Sequence, residues 1–253
     1  MTTIRVHHEI HHEPLPPRCP VLYLPGVDGT GRLLHRQPGL AERFTLRCAN
    51  YPQDDRHTYA DLVQLGIRHL EETGPGVVLA ESFGGGVALM LALARPDLVR
   101  RLVLVNTFAW YPRRLFIGML GAVGPWLPNK PSNPATRPIR GLFFFGPAIS
   151  KAEQDEWWDR TADVPMRAYG HRFRLLAALD LRSRLPEIDI PAVVFAAPND
   201  RVVPAPAGRL LAKRLPRVTF LETPTGHAAM VDPRVDVTSW LERPELWPTV
   251  TIS

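Results

Sequence analysis

Ser82 stands in Ala80-Glu81-Ser82-Phe83-Gly84, between the apolar run VVLA (77 to 80) and a helical pattern from Phe83 to Arg95. A strand that turns straight into a helix crowds the positions two before and two after the turn residue. Both must then be small, and Ala80 and Gly84 are. Such a turn lifts the Ser82 hydroxyl above the carboxyl edge of the sheet. It also sets the Phe83 backbone N–H beside a helix N-terminus, where developing negative charge is stabilised. The predicted chemistry is nucleophilic attack by Ser82. A glycine-rich strand-to-helix turn also suits a phosphate loop, but neither G-x-x-x-x-G-K-[ST] nor G-x-G-x-x-G stands here.

A serine nucleophile needs a base, and nine histidines compete for that role. His7, His8, His11 and His12 sit in a short lead-in close to Pro14 and Pro16, a setting for a solvated tail more than for a metal site. His35, His57 and His69 lie on or beside early helices, and His171 lies in the middle of the chain. His227 follows the last apolar run, in VTFLETPTGHAAM, where a histidine can swing over the sheet edge to Ser82. The third member must be a carboxylate that fixes the histidine's tautomer and offsets the imidazolium charge. AVVFAA runs into PNDRVVP, which puts Asp200 in a loop past a strand end and ahead of the histidine. The end of the preceding strand, the other place for an acid, holds Asn106, which cannot carry the charge. A second donor to an oxyanion is expected from LYLPGVDGTG, where Gly26, Gly29 and Gly31 let backbone approach a reacting carbonyl. Val27 N–H is the candidate, with Asp28 shaping the loop and Thr30 capping the next helix.

The elements that must position these residues read as alternating strands and helices. The strands are VLYL (21 to 24), FTLRCA (44 to 49), VVLA (77 to 80), LVLV (102 to 105), AVVFAA (192 to 197) and VTFLE (218 to 222), short apolar runs suited to strands buried on both faces. Helical segments lie at Tyr59 to Glu72, Phe83 to Arg95, Ala205 to Arg214 and Pro233 to Leu241. The pattern predicts an α/β fold, a mostly parallel sheet flanked by helices. Residues 107–191 break the rhythm with helical stretches and no strand, and they carry 12 of the 21 aromatic residues. That composition suits a helical cap over an apolar pocket, with Phe108 and Trp110 as substrate-binding residues; it equally suits the insertion's own small core. The expected division is a loose or weakly paired lead-in (1–20) with ordered structure after it, a core (21–106 and 192–243), the cap insertion (107–191) and a C-terminal tail (244–253).

Of the 253 residues, 45% are apolar and 22% charged, enough for a sizeable core. The 30 Lys and Arg against 25 Asp and Glu are mostly arginines scattered along the chain, which argues against a nucleic-acid stripe. No apolar run reaches the length of a membrane-spanning helix, and MTTIRVHHEIHHEP lacks the core of a secretory signal. A cytoplasmic protein is expected. Cys19 and Cys48 are too few for a disulfide framework and read as two buried thiols. No cofactor and no metal are expected.

LPGVDGTG together with ESFGG resembles bacterial α/β-hydrolases and the hydrolase module of plant phytyl ester synthases, over about residues 20–243. The resemblance implies Ser82, Asp200 and His227 as a catalytic triad with Val27 and Phe83 as oxyanion donors. It also implies a small-molecule ester as substrate. The plant proteins carry a further acyltransferase module with a His-x4-Asp motif; the His-x4-Asp here, His227 to Asp232, coincides with the triad histidine. The expected activity is carboxylic ester hydrolysis through an acyl-enzyme. Acyl transfer to an alcohol by the same triad, and ligand binding without catalysis on the same fold, are the rival readings.

Overall fold

The computed structural model describes residues 2–4, 14–123, 126 and 134–247. His7, His8, His11 and His12 lie outside them. Seven strands form one sheet among the described residues: β1 (Thr2–Ile4), β2 (Pro20–Leu24), β3 (Thr45–Cys48), β4 (Gly76–Glu81), β5 (Val99–Val105), β6 (Ala192–Ala196) and β7 (Val218–Glu222). Their order is β1-β7-β6-β5-β4-β2-β3, with β1 antiparallel to β7 and every other pair parallel.

Alternation in the central strands explains why the runs at 21–24, 77–80, 102–105 and 192–196 contain almost nothing polar, whereas the edge strand β3 is exposed or half-buried along its length. Leu22, Leu24, Val78, Ala80, Leu102, Leu104 and Val194 point to one face of the sheet, and Val21, Tyr23, Val77, Leu79, Val103, Val105 and Val193 to the other. Each face is then covered by helices. The first is packed by α2 (Tyr59–Thr73), α3 (Gly84–Ala94) and α8 (Ala205–Arg214), the second by α1 (Pro38–Arg43) and α9 (Val237–Glu242). Thr58 and Asp61 close a reciprocal capping box at the start of α2, and Asp236 caps α9 by accepting the Ser239 N–H. That cap is why α9 begins at Val237 rather than at Pro233.

Within the lead-in, expected to be loose or weakly paired, Thr2–Ile4 adds a short edge strand to β7. Cys19 is buried and Cys48 half-buried, and both are free thiols. Between β5 and β6 the described residues form α4 (Arg114–Val123), α5 (Arg137–Phe144), α6 (Lys151–Asp159) and α7 (Met166–Ala178). No helix among the described residues is long and apolar enough to cross a membrane.

Candidate active site

The turn between β4 and α3 places Ser82 at φ 51, a left-handed conformation that costs a non-glycine residue about 1–2 kcal/mol. Its neighbours hold it there. Ser82 N–H donates to the Val105 carbonyl at 3.0 Å, and the Ser82 carbonyl accepts from Gly85 N–H at 3.1 Å and from the Thr107 hydroxyl. A Cβ at Gly84 would collide with the Leu24 and Pro25 carbonyl oxygens, which is the close approach of helix to strand that only glycine permits.

His227 Nε2 lies 3.1 Å from Ser82 Oγ, and His227 Nδ1 lies 2.7 Å from Asp200 Oδ2. Asp200 Oδ1 accepts the backbone N–H groups of Val202 and Val203, each at 2.8 Å, so the carboxylate is fixed from its other side. All three residues are buried. With the Nδ1 proton donated to Asp200, Nε2 is left as the acceptor for the Ser82 hydroxyl, the arrangement that can draw a proton from serine as it attacks. Burial, the largest influence, pulls the His227 pKa down, but the charge and hydrogen bond of Asp200 and the charge of Glu81 outweigh it and raise it above the ordinary 6.5.

Phe83 follows this serine directly, and Val27 lies in the loop that leaves β2. A Cβ built on Gly26 would stand 3.7 Å from Ser82 Cβ, so the chain passes close to Ser82 one residue before Val27. Phe83 is fully buried, its ring stacked on Tyr59 at 5.2 Å and edge-on to Tyr51 at 6.0 Å, so its side chain anchors the backbone next to Ser82. Among the described residues neither the Val27 nor the Phe83 N–H has an acceptor within the protein. Asp28 shapes the loop as expected, its Oδ2 accepting from Thr30 N–H at 2.9 Å and the Thr30 hydroxyl at 2.6 Å.

Three residues near the site, Arg172, Asn106 and Glu81, carry weight that sequence reasoning did not assign, and a fourth, Phe144, belongs to the aromatic set of the insertion that the sequence offers as candidate pocket lining. Arg172 on α7 is fully buried, and its guanidinium donates to the carbonyls of Val27 (2.8 Å), Asp28 (3.1 Å) and Pro52 (2.6 Å). Gly29, at φ +69, makes room for it: a Cβ there would meet the guanidinium carbon at 2.7 Å. Asn106 ties the loops together, its Nδ2 donating to the Gly226 (3.1 Å) and His227 (3.0 Å) carbonyls and its Oδ1 accepting Ala197 N–H at 2.9 Å. Glu81 is buried next to Ser82 and accepts from the Tyr23 hydroxyl at 2.7 Å. Burial pushes its carboxyl up to about 7, Tyr23 and His227 oppose the rise, and Asp28 and Asp200 add to it. A glutamate ending an otherwise apolar six-residue strand was the signal available for it. Phe144 is the fourth, with its ring 5.6 Å from that of His227 and its carbonyl accepting Ala228 N–H at 2.8 Å.

The two pocket candidates sit differently. Phe108 is 1% exposed and lies in the core, edge-on to Tyr111 at 5.2 Å. Trp110 is half-buried, bridged to Asp180 and covered by the Arg182 guanidinium at 4.5 Å. Asp232 is bound by Arg234 through both oxygens, at 2.8 and 2.6 Å. Among the described residues no group of three or more His, Cys, Asp or Glu could hold a metal ion.

The chain is similar to several known proteins. It is 37% identical over 97 residues to "Phytyl ester synthase 2, chloroplastic" of Arabidopsis thaliana, a match covering 34% of this chain and 13% of that protein. It is 32% identical to "Putative carbamate hydrolase RutD" of Variovorax paradoxus (strain S110), over 70% of this chain and 69% of the other. A solved hydrolase from Pseudomonas aeruginosa PA01 superposes with a TM-score of 0.74 at 22% identity, covering 88% of each chain, a likeness of fold. The model of the Alpha/beta hydrolase family matches residues 21–239, and with the sheet order and the strand-to-helix turn at Ser82 in place, the chain belongs to that family.

Proposed function

We propose that this protein is a serine hydrolase that cleaves a carboxylic ester with an apolar acyl group, and that residues 107–191 act as its cap. The observation that carries the reading is the hydrogen-bonded series Ser82 Oγ, His227 Nε2, His227 Nδ1, Asp200 Oδ2, with separations of 3.1 and 2.7 Å. Ser82 Oγ attacks the ester carbonyl carbon as its proton passes to His227 Nε2. The tetrahedral oxyanion is held by Val27 and Phe83 N–H. The C–O bond to the alcohol then breaks, the alkoxide takes the proton from His227, and an acyl-enzyme remains. Water repeats the sequence, giving its proton to His227, and the acid leaves as Ser82 recovers its own. Asp200 stays ionised throughout and holds the imidazolium.

An apolar acyl group is supported by the aromatic cluster of Phe144, Phe145, Trp157 and Trp158 beside His227. Within the cap, Phe144 is better placed to meet an acyl chain than the core residue Phe108 or the covered Trp110. Two free thiols fit a cytoplasmic setting.

A fluorophosphonate probe should label the parent protein and leave Ser82→Ala unlabelled, and that variant should lose turnover by roughly 10⁴-fold or more. Labelling elsewhere, or turnover undiminished in Ser82→Ala, ends this reading. Rates on p-nitrophenyl esters from acetate to palmitate should rise with chain length, each fitting methylene adding up to about 0.8 kcal/mol. A p-nitrophenyl carbamate preferred over every ester would move the substrate class toward the activity that RutD is named for.

A further inference from the structure

Helix α4 is apolar on two opposite sides. Its inner side, with buried Ile117 and Gly121, packs toward α7, where Arg174 donates to the Gly121 carbonyl at 2.7 Å. Leu115, Phe116, Met119, Leu120 and Val123 fall at spacings of one and four residues and therefore share the other side, where Leu115 is 83%, Phe116 58% and Met119 68% exposed. Trp126 beyond the helix is 87% exposed. A helix whose only task was to pack on α7 would carry polar residues outward. Clusters of large exposed apolar side chains mark interaction sites.

The charge around this stripe is one-sided. From Leu98 to Ala152 the sequence has no Asp or Glu, whereas at the chain's rate of 25 in 253 residues about five would fall there. Arg113 and Arg114 are exposed at the start of α4, and Arg113 donates to the Arg201 carbonyl at 3.0 Å, which adds a third arginine alongside. Asp180, whose charge reaches Arg114, is itself held through both oxygens by Arg182 at 2.9 and 2.6 Å. Further along the insertion, Asp155 and Asp159 of α6 pair with Arg137 and Lys151, and Glu153 and Glu156 pair with Arg36. The stripe thus joins bulky apolar side chains and a tryptophan to arginines, with no acidic residue among them. That is the composition of helices that lie in a membrane interface.

We propose that the outer face of α4 docks on an anionic lipid surface, with Leu115, Phe116 and Met119 entering the acyl boundary and Arg113 and Arg114 meeting the headgroups. A second copy of the chain would cover the apolar side chains but brings the same acid-free stripe, so it offers the arginines nothing. The proposal is independent of the catalytic reading.

Co-sedimentation of the full chain with lipid vesicles tests it. Partitioning onto phosphatidylcholine vesicles doped with phosphatidylglycerol should exceed that onto pure phosphatidylcholine by about tenfold or more and weaken with added salt. Arg113→Gln with Arg114→Gln should lower it by roughly fivefold per arginine on the doped vesicles only. Phe116→Ser with Met119→Ser should abolish sedimentation with both kinds of vesicle and leave the melting temperature unchanged, since both side chains are exposed. Absence of sedimentation, equal partitioning onto both vesicles, or a loss that the arginine pair does not reproduce would overturn the proposal. So would a dimer in sedimentation equilibrium that Phe116→Ser with Met119→Ser splits while the parent ignores vesicles; that result assigns the face to a second copy.

Discussion

The Arg172 guanidinium lies 2.8 Å from the carbonyl oxygen of Val27, the residue whose own N–H is the proposed oxyanion donor. Residues 107–191 therefore hold the loop that carries the proposed donor, through a side chain that is itself fully buried. Arg172→Met leaves the carbonyls of Val27, Asp28 and Pro52 without this donor and frees the loop to shift. A displacement of about 1 Å at a reacting group can cost up to about 100-fold, so kcat should fall roughly 10- to 100-fold with KM little changed. Partial unfolding would lower the rate on an ester and on its thiono analogue equally. A misplaced donor lowers the ester rate more, because sulfur accepts hydrogen bonds weakly. Equal losses on both substrates would reduce Arg172 to a structural role.

Asp200→Asn should fold like the parent. Its amide oxygen can keep the Val202 and Val203 N–H groups, which turns the NH₂ group toward His227 Nδ1. The imidazole proton then sits on Nε2 and faces Ser82, so the hydroxyl loses its acceptor. A fall in kcat of about 10³- to 10⁴-fold with an unchanged melting temperature is expected. Activity that survives this change assigns the orienting carboxylate elsewhere.

The acidic limb of kcat/KM should lie above the ordinary histidine value of 6.5, because Asp200 and Glu81 together outweigh the burial that lowers the His227 pKa. Glu81→Gln removes one of those charges and keeps an oxygen to accept from Tyr23, so the limb should move to lower pH. Stability carries its own signature. The Glu81 carboxyl is raised in the folded state from 4.5 to about 7, so its contribution is complete below 4.5 and is lost as pH rises through 7. The glutamine variant should therefore gain on the parent across that window, by on the order of 3 kcal/mol. A limb that stays in place, with parallel stability curves, would show that Glu81 does not couple to His227.

Much of this is legible in the sequence because it is local. β7 runs from Val218 to Glu222 as its apolar pattern indicates, and Ala80 and Gly84 announce the turn at Ser82 within five residues. His227 and Asp200 can be placed because each lies past the end of a strand. Arg172 cannot, since the carbonyls it binds are 145, 144 and 120 residues away along the chain and nothing in its own neighbourhood encodes them. β1 escapes for the opposite reason: three residues are too few for a pattern, and only pairing with β7 defines them. At Asn106 the residue type shows that no carboxylate is present, but the partners of its amide lie in two other loops and leave no local trace.

Asn106, at φ 45, takes a left-handed conformation that asparagine tolerates and alanine resists. Its side chain binds the backbone of the His227 loop and of Ala197, and the Ala197 carbonyl accepts Asp200 N–H at 3.0 Å, so one residue sets both partners of the proposed triad. Asn106→Ala leaves two buried carbonyls and one N–H without that partner and adds backbone strain, a loss of about 3 kcal/mol or more. For a chain of this size the melting temperature should drop by roughly 6–12 °C. Well below that temperature kcat should still be down by about tenfold or more, because His227 and Asp200 no longer share a fixed frame. Asn106→Asp keeps the tolerated φ and the bond from Ala197 but turns a carboxylate oxygen toward the Gly226 and His227 carbonyls. It should be no more active than the alanine variant. If Asn106→Ala melts with the parent and retains its kcat, the two loops are held by other contacts and Asn106 has no positioning role.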